Sequence, residues 1–323
     1  MAPLADTTGA TRFDNFNIYR TSFKSIGDHK IDVGILVPKG IKSSRKVPVV
    51  VNFHGGGLVS GDCLYANWKA AFWIPFLHRN NAITVLPNYR LVPEATGNDI
   101  LGDLADFWTW FRGHGVERYL ASQSSHVELD YEHVLASGDS AGGYMALQSG
   151  LTLPKGEIKV VLAQYPMTNY ARRSPTDMPL GKRAPPHSFL NEYIASMTPG
   201  YITSSSNPST EPQRGELSRA LNAYNRFNEF FGLGKHLWPI TTIESAHHLP
   251  PTTIFHGSDD TLVPVEDSKV FVDKVRGLEK FKDTELRLVV REGKEHGFDI
   301  DMKEDEEAWR KEELQWIERK WLA

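Results

Sequence analysis

Gly138-Asp139-Ser140-Ala141-Gly142-Gly143 is the stretch on which the fold turns. Upstream, residues 131–137 carry the apolar run Val134, Leu135, Ala136, short enough for a buried parallel strand. Downstream, Tyr144, Leu147 and Leu151 recur at helical spacing. The serine therefore falls where a strand turns sharply into a helix. A residue so placed is held in a strained backbone conformation that lifts its hydroxyl above the sheet. Glycines two positions before and after it let the two backbones approach without Cβ clashes. Alone, the pattern also fits an ordinary glycine-rich turn, so its partners elsewhere in the chain decide its meaning.

Outward from this elbow, the chain reads as alternating strands and helices. Phe16 and Ile18, then Ile31, Val33, Ile35 and Val37, alternate as a half-buried strand pair around a turn at 25–29. Residues 47–53 and 82–87 are apolar strand candidates, separated by a helix through Trp68, Phe72, Trp73 and Phe76. A helix is expected over 99–119, followed by the elbow strand and by strands at 158–164, 252–255 and 285–290. Helical connections between buried strands imply an eight-stranded, mostly parallel sheet covered on both faces, with the elbow at its carboxyl edge. Residues 303–321 mix charges with Leu314, Ile317 and Trp321, the pattern of an amphipathic packing helix.

One interruption breaks the rhythm. Residues 167–248, inserted after the sixth strand, are too long for a structureless loop. They read as a cap or lid on a catalytic domain formed by 1–166 and 249–323. Tyr193, Tyr201, Tyr224, Phe227, Phe230, Phe231 and Trp238 give it aromatic bulk, suited to core packing or to a pocket for a hydrophobic acyl or aromatic group. Over 203–214 the composition shifts to serine, threonine and proline, which reads as an exposed surface connection.

Composition bounds the alternatives. With 323 residues, 40% of them hydrophobic, the chain can bury a substantial core. A formal net charge of -4 leaves no broad basic surface for nucleic acid. Cys63 is the sole cysteine, which excludes an intramolecular disulfide and a multi-cysteine zinc site; it reads as a packed or loop thiol rather than a nucleophile. Residues 1–13 lack the basic and apolar segments of a secretory leader, and no run reaches membrane-spanning length, so a soluble cytoplasmic protein is expected. No internal repeat stands out.

A serine hydroxyl is a weak nucleophile at neutral pH and needs a base, and the oxyanion it generates needs donors. The base candidate is His296, in Glu295-His296-Gly297-Phe298, just past the last strand where a loop can return over the sheet edge. The carboxylate that orients it is assigned to Asp260, in the stretch 256–264 after the preceding strand. Asp259 is the rival, and the loser would be a turn or capping carboxylate. Donors are the N–H of Ala141, directly after the serine, and those of Gly56 and Gly57 in His54-Gly55-Gly56-Gly57 after the third strand. His54 reads as ordering that loop. No Lys-Ser or Lys-Thr pair follows the glycines, which weakens a phosphate-binding reading. No metal or cofactor is implied.

Four separated motifs, His54-Gly55-Gly56-Gly57, Asn88-Tyr89-Arg90-Leu91-Val92-Pro93-Glu94, the elbow and His296-Gly297-Phe298, resemble in order and spacing the hormone-sensitive lipase family of α/β-hydrolases, the fold-3 group. The resemblance implies an α/β-hydrolase fold and a triad of Ser140, Asp260 and His296. It also implies an oxyanion hole of Gly56, Gly57 and Ala141, and Arg90 and Glu94 as stabilisers of the turn into the next helix. A first strand beginning near Phe13 leaves little room for the N-terminal cap helices of many relatives, so the cap would come mainly from the insertion. The expected activity is hydrolysis of carboxylic esters of small hydrophobic substrates through an acyl-enzyme. The alternatives are a thioesterase or acyl-transfer enzyme acting on a polyketide-like intermediate, and a non-catalytic small-molecule receptor. A receptor has no need for a matched nucleophile, base and acid.

Overall fold

The computed structural model describes residues 8–42, 46–169 and 174–323. Period-two alternation builds its sheet. The strands are β1 (Phe16–Ile26), β2 (His29–Pro38), β3 (Val47–Phe53), β4 (Ile83–Pro87), β5 (Leu129–Asp139), β6 (Val160–Gln164), β7 (Thr252–Gly257) and β8 (Leu286–Arg291), in spatial order β1-β2-β4-β3-β5-β6-β7-β8. β2 pairs antiparallel with β1 and β4, and every other pairing is parallel. In β3, Val49, Val51 and Phe53 enter one core, with Phe107 and Tyr144, while Val50 enters the opposite core, with Trp73 and Trp321. Both faces are therefore buried, as crossover helices on either side require.

The helices are α1 (Trp73–Arg79), α2 (Gly97–Arg112), α3 (Gly115–Ser122), α4 (Ala141–Thr152), α5 (His187–Ser196), α6 (Pro212–Ala223), α7 (Phe227–Phe231), α8 (Pro239–Ser245), α9 (Val265–Gly277) and α10 (Ala308–Trp321). α5 to α8 all lie in the long connection between β6 and β7. An eight-stranded, mostly parallel sheet flanked by helices is the α/β-hydrolase arrangement the motifs implied.

Several boundaries differ from the sequence reading. The helix expected over 99–119 is two helices, because Gly113 ends α2 and His114 takes the left-handed conformation (φ 59°) before α3. Apolar periodicity persists across the break, which hides it. Trp68 belongs to a 3-10 turn, and α1 starts only at Trp73. β1 begins at Phe16, with Phe13 buried ahead of it. α10 begins at Ala308 rather than near 303.

Residues 203–214 depart in part. Ser205, Asn207, Ser209, Thr210, Pro212 and Gln213 are exposed as expected, but the stretch is also pinned at points: Leu91 N donates to Thr203 O (2.8 Å), and Gly61 and Ser206 exchange backbone bonds of 3.0 and 2.8 Å. Ser205 Oγ donates to Asp62 (2.6 Å), and Ser204, Ser206 and Arg214 are buried. Serine-rich composition signals hydrogen-bonding capacity that neighbouring loops meet at Ser204, Ser205 and Ser206, while the rest of the stretch faces solvent.

Candidate active site

Ser140 sits between β5 and α4 with φ 54° and ψ -115°, a sparsely populated conformation for a residue bearing a side chain. Its neighbours explain how the turn is tolerated. A β-carbon at Gly142 would lie 2.1 Å from Phe53 O, and one at Gly138 would lie 2.3 Å from the Gly142 carbonyl. Ser140 N donates to Gln164 O (2.8 Å), tying the elbow to the end of β6. Ala141 opens α4, where the first-turn N–H groups lack intrahelical acceptors.

Gly56 (φ +102°) and Gly57 (φ +65°) border the same cavity as Ser140. A β-carbon at Gly56 would meet Ser60 O at 2.0 Å, so the tight loop admits no side chain there. His54 orders this loop from beneath. Its Nδ1 donates to Gly55 O (2.8 Å), its ring stacks on Tyr89 with centroids 4.4 Å apart, and Tyr89 OH donates to His54 O (2.6 Å). Burial lowers the pKa of His54, more than its Gly55 bond raises it, which suits a neutral ring.

His296 lies in the loop after β8, and Asp260 in the loop after β7. His296 Nδ1 is 2.7 Å from Asp260 Oδ2, while Oδ1 accepts from the N–H groups of Leu262 (2.9 Å) and Val263 (2.7 Å). Burial alone would raise the Asp260 pKa. The bonds from His256 and His296, the charge of His296 and the Val263 N–H outweigh it and hold the carboxyl well below the usual range. Asp259 is exposed and accepts from Ser258 Oγ (2.7 Å), as a turn carboxylate would. Ser140 and His296 both border the cavity, and no hydrogen bond joins them among the described residues.

Four supporting residues escaped the sequence reading. His256 is fully buried, with Nε2 3.2 Å from Asp260 Oδ2 and Nδ1 2.9 Å from Ser268 Oγ. Its position at the end of a buried strand, four residues before the aspartate, was the available signal. Glu295 accepts from Thr261 N, Thr261 Oγ1 and His296 N at 2.6, 2.6 and 2.7 Å, strapping the two loops together. The Tyr165 ring lies 4.5 Å from that of His296, and its hydroxyl donates to buried Asp299 (3.1 Å). Beneath the elbow, burial pushes Asp139 up to about 7, with Asp299 adding to it and Lys69 opposing.

The cavity measures ≈ 510 Å³. Trp68, Tyr165, Leu262 and Ile300 supply apolar wall, the insertion adds Met167, Pro179 and Leu180, and α6 contributes a roof that mixes Pro212 and Ala223 with Glu216, Ser218, Arg219 and Asn222. None of the seven aromatic residues noted in the insertion borders it. Phe231 and Trp238 pack on Tyr144 at 6.3 and 5.8 Å between centroids, Tyr193 donates to Glu94, and Tyr201 is exposed. The insertion's aromatic bulk is thus core and surface. Arg90 pairs with Asp99 and Asp103 of α2 (2.9 Å each), steadying the turn. Glu94 accepts from Arg214 of α6 (2.8 Å), whose guanidinium also donates to the Val92 carbonyl of the same turn (2.9 Å). Among the described residues, no three His, Cys, Asp or Glu side chains cluster as metal ligands would, and no helix is long and apolar enough to cross a membrane.

Comparison with known proteins agrees with this architecture. The BD-FAE family model matches residues 33–275. A probable carboxylesterase, M8, from Phoma sp. is 31% identical over 314 residues, covering 93% of this chain and 96% of its own. The non-reducing polyketide synthase atr1 of Stereocaulon alpinum is 24% identical over 345 residues, which span 95% of this chain but 13% of the synthase. The apo form of Thermogutta terrifontis esterase 2 superposes with a TM-score of 0.57 at 18% identity, covering 95% of this chain and 94% of its own, a likeness of fold. The chain belongs to the BD-FAE family of hormone-sensitive-lipase-like α/β-hydrolases and is a hydrolase of the carboxylesterase type.

Proposed function

We propose that the protein cleaves small carboxylic esters by serine catalysis through an acyl-enzyme, with Ser140, His296 and Asp260 as its triad and residues 167–248 as its cap. The observation that carries this reading is the 2.7 Å His296–Asp260 contact at the rim of the cavity into which Ser140 faces.

In the first half-reaction, Ser140 Oγ attacks the ester carbonyl carbon while its proton passes to His296 Nε2. Asp260 holds Nδ1–H, fixing the tautomer and stabilising the imidazolium. The carbonyl oxygen, now an anion, accepts from the N–H groups of Gly56, Gly57 and Ala141. Collapse breaks the C–O bond, and the departing alcohol takes the proton from His296. Water then repeats the sequence on the acyl-serine: His296 accepts its proton, and the Ser140 oxygen recovers it as the acid leaves. The cytoplasm is the setting this reading assumes, and fractionation of the producing cell checks it.

A thioester in place of the ester changes only the leaving atom. The match to a segment of a polyketide synthase favours keeping this second reading, in which the acyl group is a polyketide-like intermediate.

Turnover of 4-nitrophenyl esters and acyl thioesters by wild-type and Ser140→Ala protein is the test. Loss on the order of 10⁶-fold in the variant is expected, together with fluorophosphonate labelling of wild type alone. Undiminished hydrolysis by Ser140→Ala would refute the mechanism, and thioester cleavage far faster than ester cleavage would move the assignment to the second reading.

A further inference from the structure

One face of α6 roofs the cavity. Gly215, Glu216, Ser218, Arg219 and Asn222 recur on it at helical spacing, while Leu217, Ala220 and Leu221 are buried on the other face. Pro212 and Ala223 at the two ends of the helix also border the cavity, so the face turned to it is mixed, with Glu216, Ser218, Arg219 and Asn222 as its polar members. Ser218 Oγ would lie 2.8 Å from a β-carbon at Gly57, so this face reaches the glycine loop beside Ser140.

Arg219 stands apart from the other arginines of its kind. Arg12, Arg112, Arg219, Arg291 and Arg310 each have an Nε sealed from solvent without an acceptor. Four of them place another guanidinium nitrogen on a carboxylate: Asp301, Glu157, Glu307 and Asp299 respectively. Arg219 has no carboxylate or carbonyl partner among the described residues, and it borders the cavity. Asp177 and Glu216 border it too, yet neither pairs with Arg219, and Asp177 is engaged by Ser174 N (2.8 Å). Lys182 adds a second cation to the lining. A partly buried guanidinium with unmade hydrogen bonds bears a desolvation cost that a ligand acceptor removes, and its planar fork matches a carboxylate.

We propose that Arg219 receives a carboxylate carried by the substrate away from the scissile bond, so that the preferred substrates are half-esters of dicarboxylic acids. This rests on Ser140 being the nucleophile, and it specifies the substrate class of that same site. The polar side chains of α6 at the cavity and a guanidinium without a carboxylate partner among the described residues agree with it, and the apolar lining from Met167, Pro179, Leu180 and Ala184 leaves room for the methylene chain between the two carboxyl groups.

The test compares 4-nitrophenyl half-esters of succinic, glutaric and adipic acid with esters of chain-matched monocarboxylic acids. At one or more lengths wild type should favour the anionic ester by roughly 10–100-fold in kcat/KM, the span expected of a charge-assisted hydrogen bond. Arg219→Ala should bring that ratio close to one, and Arg219→Lys should keep part of it, each variant first shown to melt cooperatively. Calorimetry of glutarate binding to Ser140→Ala, and to Ser140→Ala carrying Arg219→Ala, reads the same site without turnover; binding by the first alone supports the inference. Hydrolysis of neutral esters with no anionic preference, or a ratio unmoved in Arg219→Ala, overturns the inference and leaves the serine mechanism standing. Glutarate binding lost with Arg219, beside hydrolysis that survives Ser140→Ala, sustains the carboxylate site and overturns the mechanism.

Discussion

Arg214 holds Glu94 through Nη1, at 2.8 Å to Oε1 and 3.0 Å to Oε2, and the same guanidinium donates to the carbonyls of Val59 and Val92 at 2.9 Å each. Both side chains are almost fully buried. The first turn of α6 is thereby fastened both to the loop that follows the three glycines and to the segment after β4. The roof and the proposed oxyanion donors share one anchor.

Glu94→Ala should cost about 3–5 kcal/mol, because it strands a buried cation rather than removing a surface pair. Urea unfolding of the two proteins measures this directly. A loss under about 1 kcal/mol, the range of exposed pairs, would contradict the anchoring role.

The two neighbouring aspartates should separate cleanly in kinetics. Asp260→Asn is expected to lower kcat on the order of 10⁴-fold, since the imidazole loses the acceptor that fixes its tautomer. Asp259→Asn, on an exposed side chain bonded to Ser258, should stay within about threefold of wild type. Equal effects would sink the assignment of Asp260.

Acid should expose the same carboxylate in a stability measurement. The folded chain holds Asp260 below its ordinary 3.8, so just below that value the unfolded chain binds more protons and stability rises with pH. The contribution is fully present above about 3.8 and fades as pH falls through and below it. The destabilisation caused by Asp260→Asn should therefore be larger near neutrality than at about pH 3. A constant difference across that range would argue against the depressed value.

Cys63 should be inert in the native protein. It is buried, and burial followed by the adjacent Asp62 charge pushes the thiol far above its usual range, so little thiolate forms. A disulfide reagent should label it only once denaturant unfolds the chain. Rapid stoichiometric labelling of native protein would show that the sulfur is accessible.

The strands were legible because β2 to β7 are apolar runs bounded by turn residues, and the elbow because only glycine fits beside Phe53 and Gly142. His296 and Asp260 could be picked out because each follows a strand that ends at the same sheet edge. The partner of Glu94 was not legible, because Arg214 is far along the chain. In the serine-rich 203–214 stretch the exposure was legible but the anchoring was not, because hydrogen bonds to Leu91, Gly61 and Asp62 are long-range and leave no periodic trace. Arg219 was invisible, since a cation without a carboxylate partner among the described residues is defined by what fails to surround it.

The strap formed by Glu295 has a mechanical corollary. By accepting from Thr261 and from the backbone of His296, it makes the loops after β7 and β8 one body, carrying imidazole and carboxylate together. Breathing of the roof, or evolutionary replacement of α6, can then reshape what the enzyme admits without changing the spacing of that pair.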